Sequence, residues 1–206
     1  MAMTSAPDLR RNLIKTVAER IIGHAEELTA LDQAIGDGDH GINMKRGMDA
    51  VLADLDKLAE KPLGEALKAA GMHLVTRVGG ASGPLYGTLF MTLGKGLADI
   101  PDRAALATAF RGAVDAVKAR GKSDAGMKTM LDVLLPLAET LEAGGENLPA
   151  SLRRRAGTAA EATKPLQAIR GRASFLGERS KGHLDPGARS SQLMVEAVCD
   201  VIEGKA

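Results

Sequence analysis

The residues best placed to do chemistry are three aspartates crowded into one short stretch, Leu31-Asp32-Gln33-Ala34-Ile35-Gly36-Asp37-Gly38-Asp39-His40-Gly41. Gly36, Gly38 and Gly41 discourage a regular helix and let the chain curl, so Asp32, Asp37 and Asp39 can bring their carboxylates to one point. Two carboxylates about 5 Å apart repel by roughly 3 kcal/mol at an effective dielectric of 20, so convergence requires a cation among them. Hard oxygen donors with no cysteine or histidine cluster suit Mg2+ or Ca2+ rather than zinc. An EF-hand is excluded, because positions three and five counted from Asp32 are Ala34 and Gly36 and the twelfth is Asn43. From the loop alone, an exposed Gly-Asp turn with its carboxylates pointing apart into water reads equally well.

Two further stretches carry anion-binding chemistry. Gly79-Gly80-Ala81-Ser82-Gly83-Pro84 leads into a helical segment, where small residues let a ligand approach the backbone and the first amides favour negative charge. The Ser82 hydroxyl is a natural donor to a phosphate oxygen, although a tight turn between helices uses the same residue types. It is not a Walker A loop, which needs G-x-x-x-x-G-K-[ST] after a strand. Gly121-Lys122-Ser123 mimics the end of that motif, but Ala116 stands where its first glycine belongs. The longest break, Gly171 to Gly187, mixes cations, hydroxyls and turn formers, and its Arg172 could clamp phosphate oxygens bidentately. Its bland alternative is a surface linker, against which Phe175 and Leu176 argue.

Acids for metal, amides for an anion and arginines for residual charge are together what a metal-bridged polyphosphate needs. Three aspartates and a diphosphate carry about −6 against +4 from two Mg2+, leaving Arg172, helix starts and amides to supply the rest. Such a site works by positioning and electrostatics, as phosphoryl transfer requires.

Those loops need a scaffold, and the rest of the chain supplies helices. Leu9, Leu13, Ile14, Val17, Ile21, Ile22 and Leu28 form one apolar stripe on a helix starting near Asp8. Met44 to Leu58 forms a second, and Pro62 opens a third that reaches Val78. Pro84 suits the first turn of a fourth, which runs to about Leu97. A fifth spans about Asp102 to Arg120, and a sixth runs from about Lys128 to Ala143, kinked near Pro136. A seventh starts at Pro149 and continues towards Ile169, and the last covers Ala188 to Glu203. No segment alternates with period two, so the expected fold is all-α, one domain over residues 1–206, with about eight helices. If neighbours pack antiparallel through short links, the breaks at 31–41, 79–83, 121–126 and 171–187 gather on one rim.

Composition agrees with this and narrows the partners. The 206 residues are 45% hydrophobic but only 2% aromatic, so aliphatic and small side chains must build a closely packed core. A net charge of +1 gives nothing global to attract nucleic acid or an acidic membrane. Arg153-Arg154-Arg155 reads as a solvated helix face. Cys199, the single cysteine, lies in an apolar run and reads as buried and inert, and no apolar run approaches the ~20 residues of a membrane span. The expected location is the cytoplasm.

The three loops, taken with Asn43-Met44 and Leu85-Tyr86-Gly87-Thr88, closely resemble the dihydroxyacetone kinase L subunit, and the resemblance covers nearly the whole chain. It implies an eight-helix antiparallel up-and-down barrel with a nucleotide at one end. It also implies two Mg2+ on Asp32, Asp37 and Asp39, and an ADP held by His40, Gly41, Ile42, Asn43, Ala81 and Ser82 at the phosphates. Gly121 and Met130 would line the adenine side, and Arg172, Asp185, Pro186 and Gly187 would complete the site.

In the family's bacterial multi-subunit form, ADP is a resident cofactor recharged by a phosphohistidine protein, the M subunit of the phosphoenolpyruvate phosphotransferase system. The phosphoryl group then passes to dihydroxyacetone on a separate K subunit. No residue of the present chain is assigned a proton-transfer role. Alternatives are an L-type subunit using exchangeable ATP on another small ketose, or a nucleotide-responsive binding module without turnover. One departure stands out: Met127 follows Gly126 where the family usually has aspartate, on the adenine side.

Overall fold

The computed structural model describes residues 5–206. Among the described residues the secondary structure is entirely helical. Ten α-helices form eight rods: α1 (Ala6–Gly23) with α2 (Ala25–Ile35), α3 (His40–Ala53) with α4 (Leu55–Ala59), α5 (Leu63–Arg77), α6 (Ser82–Lys95), α7 (Arg103–Gly121), α8 (Leu131–Ala143), α9 (Leu148–Glu161) and α10 (Pro186–Ile202). Each rod packs on the next in sequence, and α10 returns to pack on α1, closing the ring.

Local chemistry sets the helix starts. Ser5, Asp102, Asn147 and Asp185 each accept a hydrogen bond from a backbone N–H three residues on, capping α1, α7, α9 and α10. Prolines in the first turns of α1, α9 and α10 cost no hydrogen bond there. Pro136 lies inside α8, which continues past it, and Thr140 Oγ1 donates to the Pro136 carbonyl at 2.8 Å.

Helix boundaries differ from the apolar patterning at several points, among them Asp54, where the expected second helix divides into α3 and α4. The first stripe breaks at His24, which leaves helical geometry at φ −107° and ψ 14°, so one expected helix becomes α1 and α2. Helix α2 then continues through Ile35 into the stretch read as a loop, because Leu28, Asp32 and Ile35 extend its buried face. Helix α9 stops at Glu161 rather than running towards Ile169. The Thr163 hydroxyl turns back to the Ala160 carbonyl at 2.7 Å, and Pro165 disfavours helical geometry at the residue before it.

With so few aromatics, close helix contacts fill the interior. Leu28, Met44, Leu74, Val114, Leu131, Leu134 and Leu193 are nearly inaccessible in the main core. Where α5 crosses α6, a Cβ on Gly64 would lie 2.5 Å from the Gly94 carbonyl, so only glycine permits the approach. Arg153 pairs with Asp200 at 3.0 Å and Glu203 at 2.7 Å, while Arg20 reaches Asp200 at 2.7 Å. The first arginine of the basic run therefore ties α9 to α10 instead of only facing water. Cys199 is buried, and burial pushes its thiol pKa up.

Candidate functional site

The three-aspartate stretch folds as a helix end, a sharp turn and a new helix start. Asp32 sits in the last turn of α2, and Asp39 is the residue preceding α3. Between them Gly38 adopts φ +75°, a left-handed conformation that favours glycine. Asp32 Oδ2 accepts from the backbone N–H groups of Asp39 at 2.8 Å and His40 at 3.1 Å, fixing the turn. Each of Asp32, Asp37 and Asp39 brings a carboxylate oxygen within 4.8 Å of the others. The bland reading, with the carboxylates pointing apart, does not describe this turn.

The surroundings decide what such a cluster can hold. Asp32 is buried, while Asp37 is exposed and paired with Arg172, whose Nε lies 2.8 Å from Asp37 Oδ2. One guanidinium against three carboxylates leaves net negative charge at a point lined by hard oxygens. That donor set fits Mg2+, which accepts carboxylates and keeps room for phosphate oxygens.

A cleft opens beside the cluster. Asp32, Asp37, Asp39, His40, Ala81, Ser82, Met130, Arg172, Asp185, Pro186 and Gly187 all line it, so residues from both ends of the chain meet there. Four residues implied by the resemblance stand back from this wall. Gly41 is pressed against α2, where any Cβ would overlap the Ala25 carbonyl oxygen. Ile42 is 55% exposed, and Asn43 is buried against Gly79. Gly121 ends α7 next to Ser123 and Leu85. The connection after α7 reaches the cleft through Lys128, Thr129 and Met130, not through 121–126.

Two buried polar groups on the wall were not singled out from the sequence. Lys128, 1% exposed and left-handed at φ +59°, donates from Nζ to the carbonyls of Thr163 at 2.7 Å and His183 at 2.5 Å. It thereby ties the end of α9 and the segment before Asp185 to the entry of α8. Tyr86 puts its hydroxyl 2.7 Å from Ser190 Oγ, 3.0 Å from Ser191 Oγ and 3.0 Å from the Gly187 carbonyl. As the one tyrosine of an aromatic-poor chain it carried a compositional signal; a lone lysine in a loop carried none.

Burial also sets protonation. It lowers the His40 pKa to about 4, so the imidazole is neutral near pH 7. It pushes the Asp185 carboxyl up to about 7 and the Tyr86 hydroxyl up to about 12, each by penalising the charged form.

The DAK2 domain family matches residues 34–200, four-fifths of the chain. This chain belongs to the DAK2 domain family. This DAK2 domain is 42% identical over 197 residues to the Listeria innocua protein named PEP-dependent dihydroxyacetone kinase 1, ADP-binding subunit DhaL, covering 95% of this chain and 97% of that one. It is 44% identical over 191 residues to the Escherichia coli PEP-dependent dihydroxyacetone kinase, ADP-binding subunit DhaL, covering 84% and 86%. Its fold matches the dihydroxyacetone kinase of C. freundii, solved in complex with AMP-PNP and Mg2+. That match has a TM-score of 0.75 and 26% identity, over 97% of this chain and 36% of the longer chain.

Proposed function

We propose that this chain, one nucleotide-binding domain over residues 1–206, is the ADP-binding subunit of a phosphoenolpyruvate-dependent dihydroxyacetone kinase. It relays a phosphoryl group through bound ADP/ATP from a phosphohistidine donor subunit to dihydroxyacetone on a separate K subunit, in the cytoplasm. The observation that carries the reading is the convergence of Asp32, Asp37 and Asp39 at the mouth of a cleft walled by Ser82, Arg172 and Asp185. Near-complete mutual coverage with the Listeria and Escherichia subunits supports it.

Asp32, Asp37 and Asp39 would hold two Mg2+, which when bound would supply positive charge for the transfer of a phosphoryl group. The protein's part is positional. Asp32, pinned by two backbone N–H groups, offers a fixed carboxylate, and Asp37 and Asp39 would supply the other two from the turn. Ser82 would orient a phosphate oxygen, and Arg172, paired with Asp37, would be the cation at hand for the phosphate. Met130 and Leu85 offer an aliphatic wall to the base. The buried, neutral His40 moves no proton to substrate; it holds Ser82.

Reconstitution tests the reading. With purified K subunit and phosphohistidine donor, the chain should support phosphorylation of dihydroxyacetone, and ADP should survive dialysis of the isolated protein. Ready exchange of the nucleotide would favour a conventional ATP-using subunit instead, and absence of any phosphoryl transfer would leave a binding module.

A further inference from the structure

A line of hydrogen-bonding side chains backs the cleft wall and runs from its surface into the core. Ser82 Oγ, on the wall, lies 2.9 Å from His40 Nδ1. His40 Nε2 lies 3.0 Å from Ser190 Oγ, which is in turn 2.7 Å from the Tyr86 hydroxyl. The inner end closes on carbonyls, which only accept: Ser190 Oγ reaches Pro186 O at 3.0 Å, and Tyr86 reaches Gly187 O at 3.0 Å. His40, Ser190 and Tyr86 are all buried, so a donor left without a partner has little water to turn to.

Each hydroxyl carries one hydrogen, and a neutral imidazole carries one ring hydrogen. That allows the line two directions. Running inward, Ser82 O–H donates to Nδ1, Nε2–H donates to Ser190, and Ser190 and Tyr86 donate to the two carbonyls. Running outward, Ser190 O–H donates to Nε2, Nδ1–H donates to Ser82 Oγ, and the Ser82 hydrogen is free to point into the cleft. With nothing in the cleft, the inward direction uses every hydrogen against a protein acceptor. A phosphate oxygen accepts only, and meets a lone pair of Ser82 unless the line runs outward. Reversal orphans neither carbonyl, because both belong to the first turn of α10 and accept helix N–H groups four residues on.

We infer that a phosphate-bearing ligand entering the cleft reverses this line, so that the ring hydrogen of His40 shifts from Nε2 to Nδ1, with Ser190 the positioning residue that makes the reversal available. The ring takes up a proton from water at Nδ1 and returns one to water from Nε2 through a transient imidazolium, each hydroxyl keeps its own hydrogen, and no net charge is created. The ligand shifts the balance between the two arrangements by accepting from only one of them. The inference rests on the nucleotide reading and deepens it by naming which face of Ser82 meets the phosphate: its O–H, not its lone pairs.

Nitrogen-15 NMR of the four imidazoles, with His40 assigned by its loss in His40→Gln, tests this on the full chain. The expected result is an Nε2–H ring without ligand and an Nδ1–H ring at saturating Mg2+ and ADP. The same hydrogen position in both states, or an imidazolium in either, overturns the inference. Amide shifts in the same samples report binding itself. No binding overturns the nucleotide reading and the inference together, whereas binding with an unchanged ring overturns the inference alone.

Ser190→Ala removes the hydroxyl that must donate to Nε2 and leaves the Pro186 carbonyl facing the ring. It should hold His40 as Nε2–H even with nucleotide present, and weaken nucleotide binding by up to about tenfold. A variant whose ring still shifts, or which binds as tightly as the parent, counts against the role given to Ser190.

Discussion

Arg172 Nε lies 2.8 Å from Asp37 Oδ2, so a cation from the loop before α10 already sits on one acid of the α2–α3 turn. The arginine is 65% exposed and the aspartate 36%, which places the pair among surface ion pairs contributing about 0–1 kcal/mol. A divalent ion therefore displaces the guanidinium at little cost. Arg172→Gln should raise the affinity for Mn2+ alone by about two- to fivefold, yet weaken binding of ADP in the presence of Mg2+ by roughly tenfold or more. Paramagnetic titration and calorimetry read the two effects, and changes of the same sign would contradict the displacement.

The acids should not behave alike. Asp37→Asn is expected to cut metal-dependent nucleotide retention at least about tenfold while leaving stability near the parent's, since its side chain is exposed. Asp32→Asn should lose retention and also about 1–2 kcal/mol of stability, because Oδ2 accepts two N–H groups where an amide can present the wrong end. Urea titration separates the two variants.

Gly41 has no room for a methyl group between α3 and the Ala25 carbonyl. Gly41→Ala should force α3 away from α2 at a cost of about 2 kcal/mol or more and loosen the turn holding the acids. A lower urea midpoint together with weaker Mn2+ binding is the expected pair of results. Unchanged metal binding would separate the helix contact from the site.

Lys128→Met keeps length and apolar bulk but strips the ammonium from the Thr163 and His183 carbonyls. Destabilisation of about 2–4 kcal/mol is expected, since buried acceptors lose a charged donor. Hydrogen exchange should show the segment before Asp185 opening first.

Burial holds the Asp185 carboxyl near 7, far above the 3.8 of an unperturbed aspartate. Folding raises this acid's pKa, so its contribution to stability is complete below the unfolded value and shrinks as pH rises from about 4 to about 7. Asp185→Asn keeps an oxygen to accept from Ala188 N–H, bonded at 2.7 Å in the parent, but does not ionise. Its melting temperature should climb relative to the parent's as pH rises from about 4 to about 7. A gap independent of pH would contradict the buried assignment.

The helical fold was legible because apolar residues recur at three- and four-residue steps, and the convergence of the three acids because glycines and acids alternate in one local stretch. Boundaries set by tertiary contact were not. His24 interrupts a stripe that the pattern runs through, and Asp32 belongs to a helix although its neighbours spell a loop. Eleven of the residues implied by resemblance line the cleft and four do not. Gly41 is one of the four, and its missing side chain is what lets α3 approach the Ala25 carbonyl. Lys128 was missed because its partners are carbonyls, which any sequence supplies everywhere. The Asp37–Arg172 pair joins residues whose spacing in the chain says nothing of their contact.

His40 and Ser190, hydrogen-bonded across 150 positions of sequence, also set a limit on when the pocket exists. A polypeptide still leaving the ribosome has its acidic turn first, and the α10 side of the pocket only 150 residues later. Products cut short before α10 carry the acids without the opposite wall, and should bind ADP more weakly than a chain that includes it.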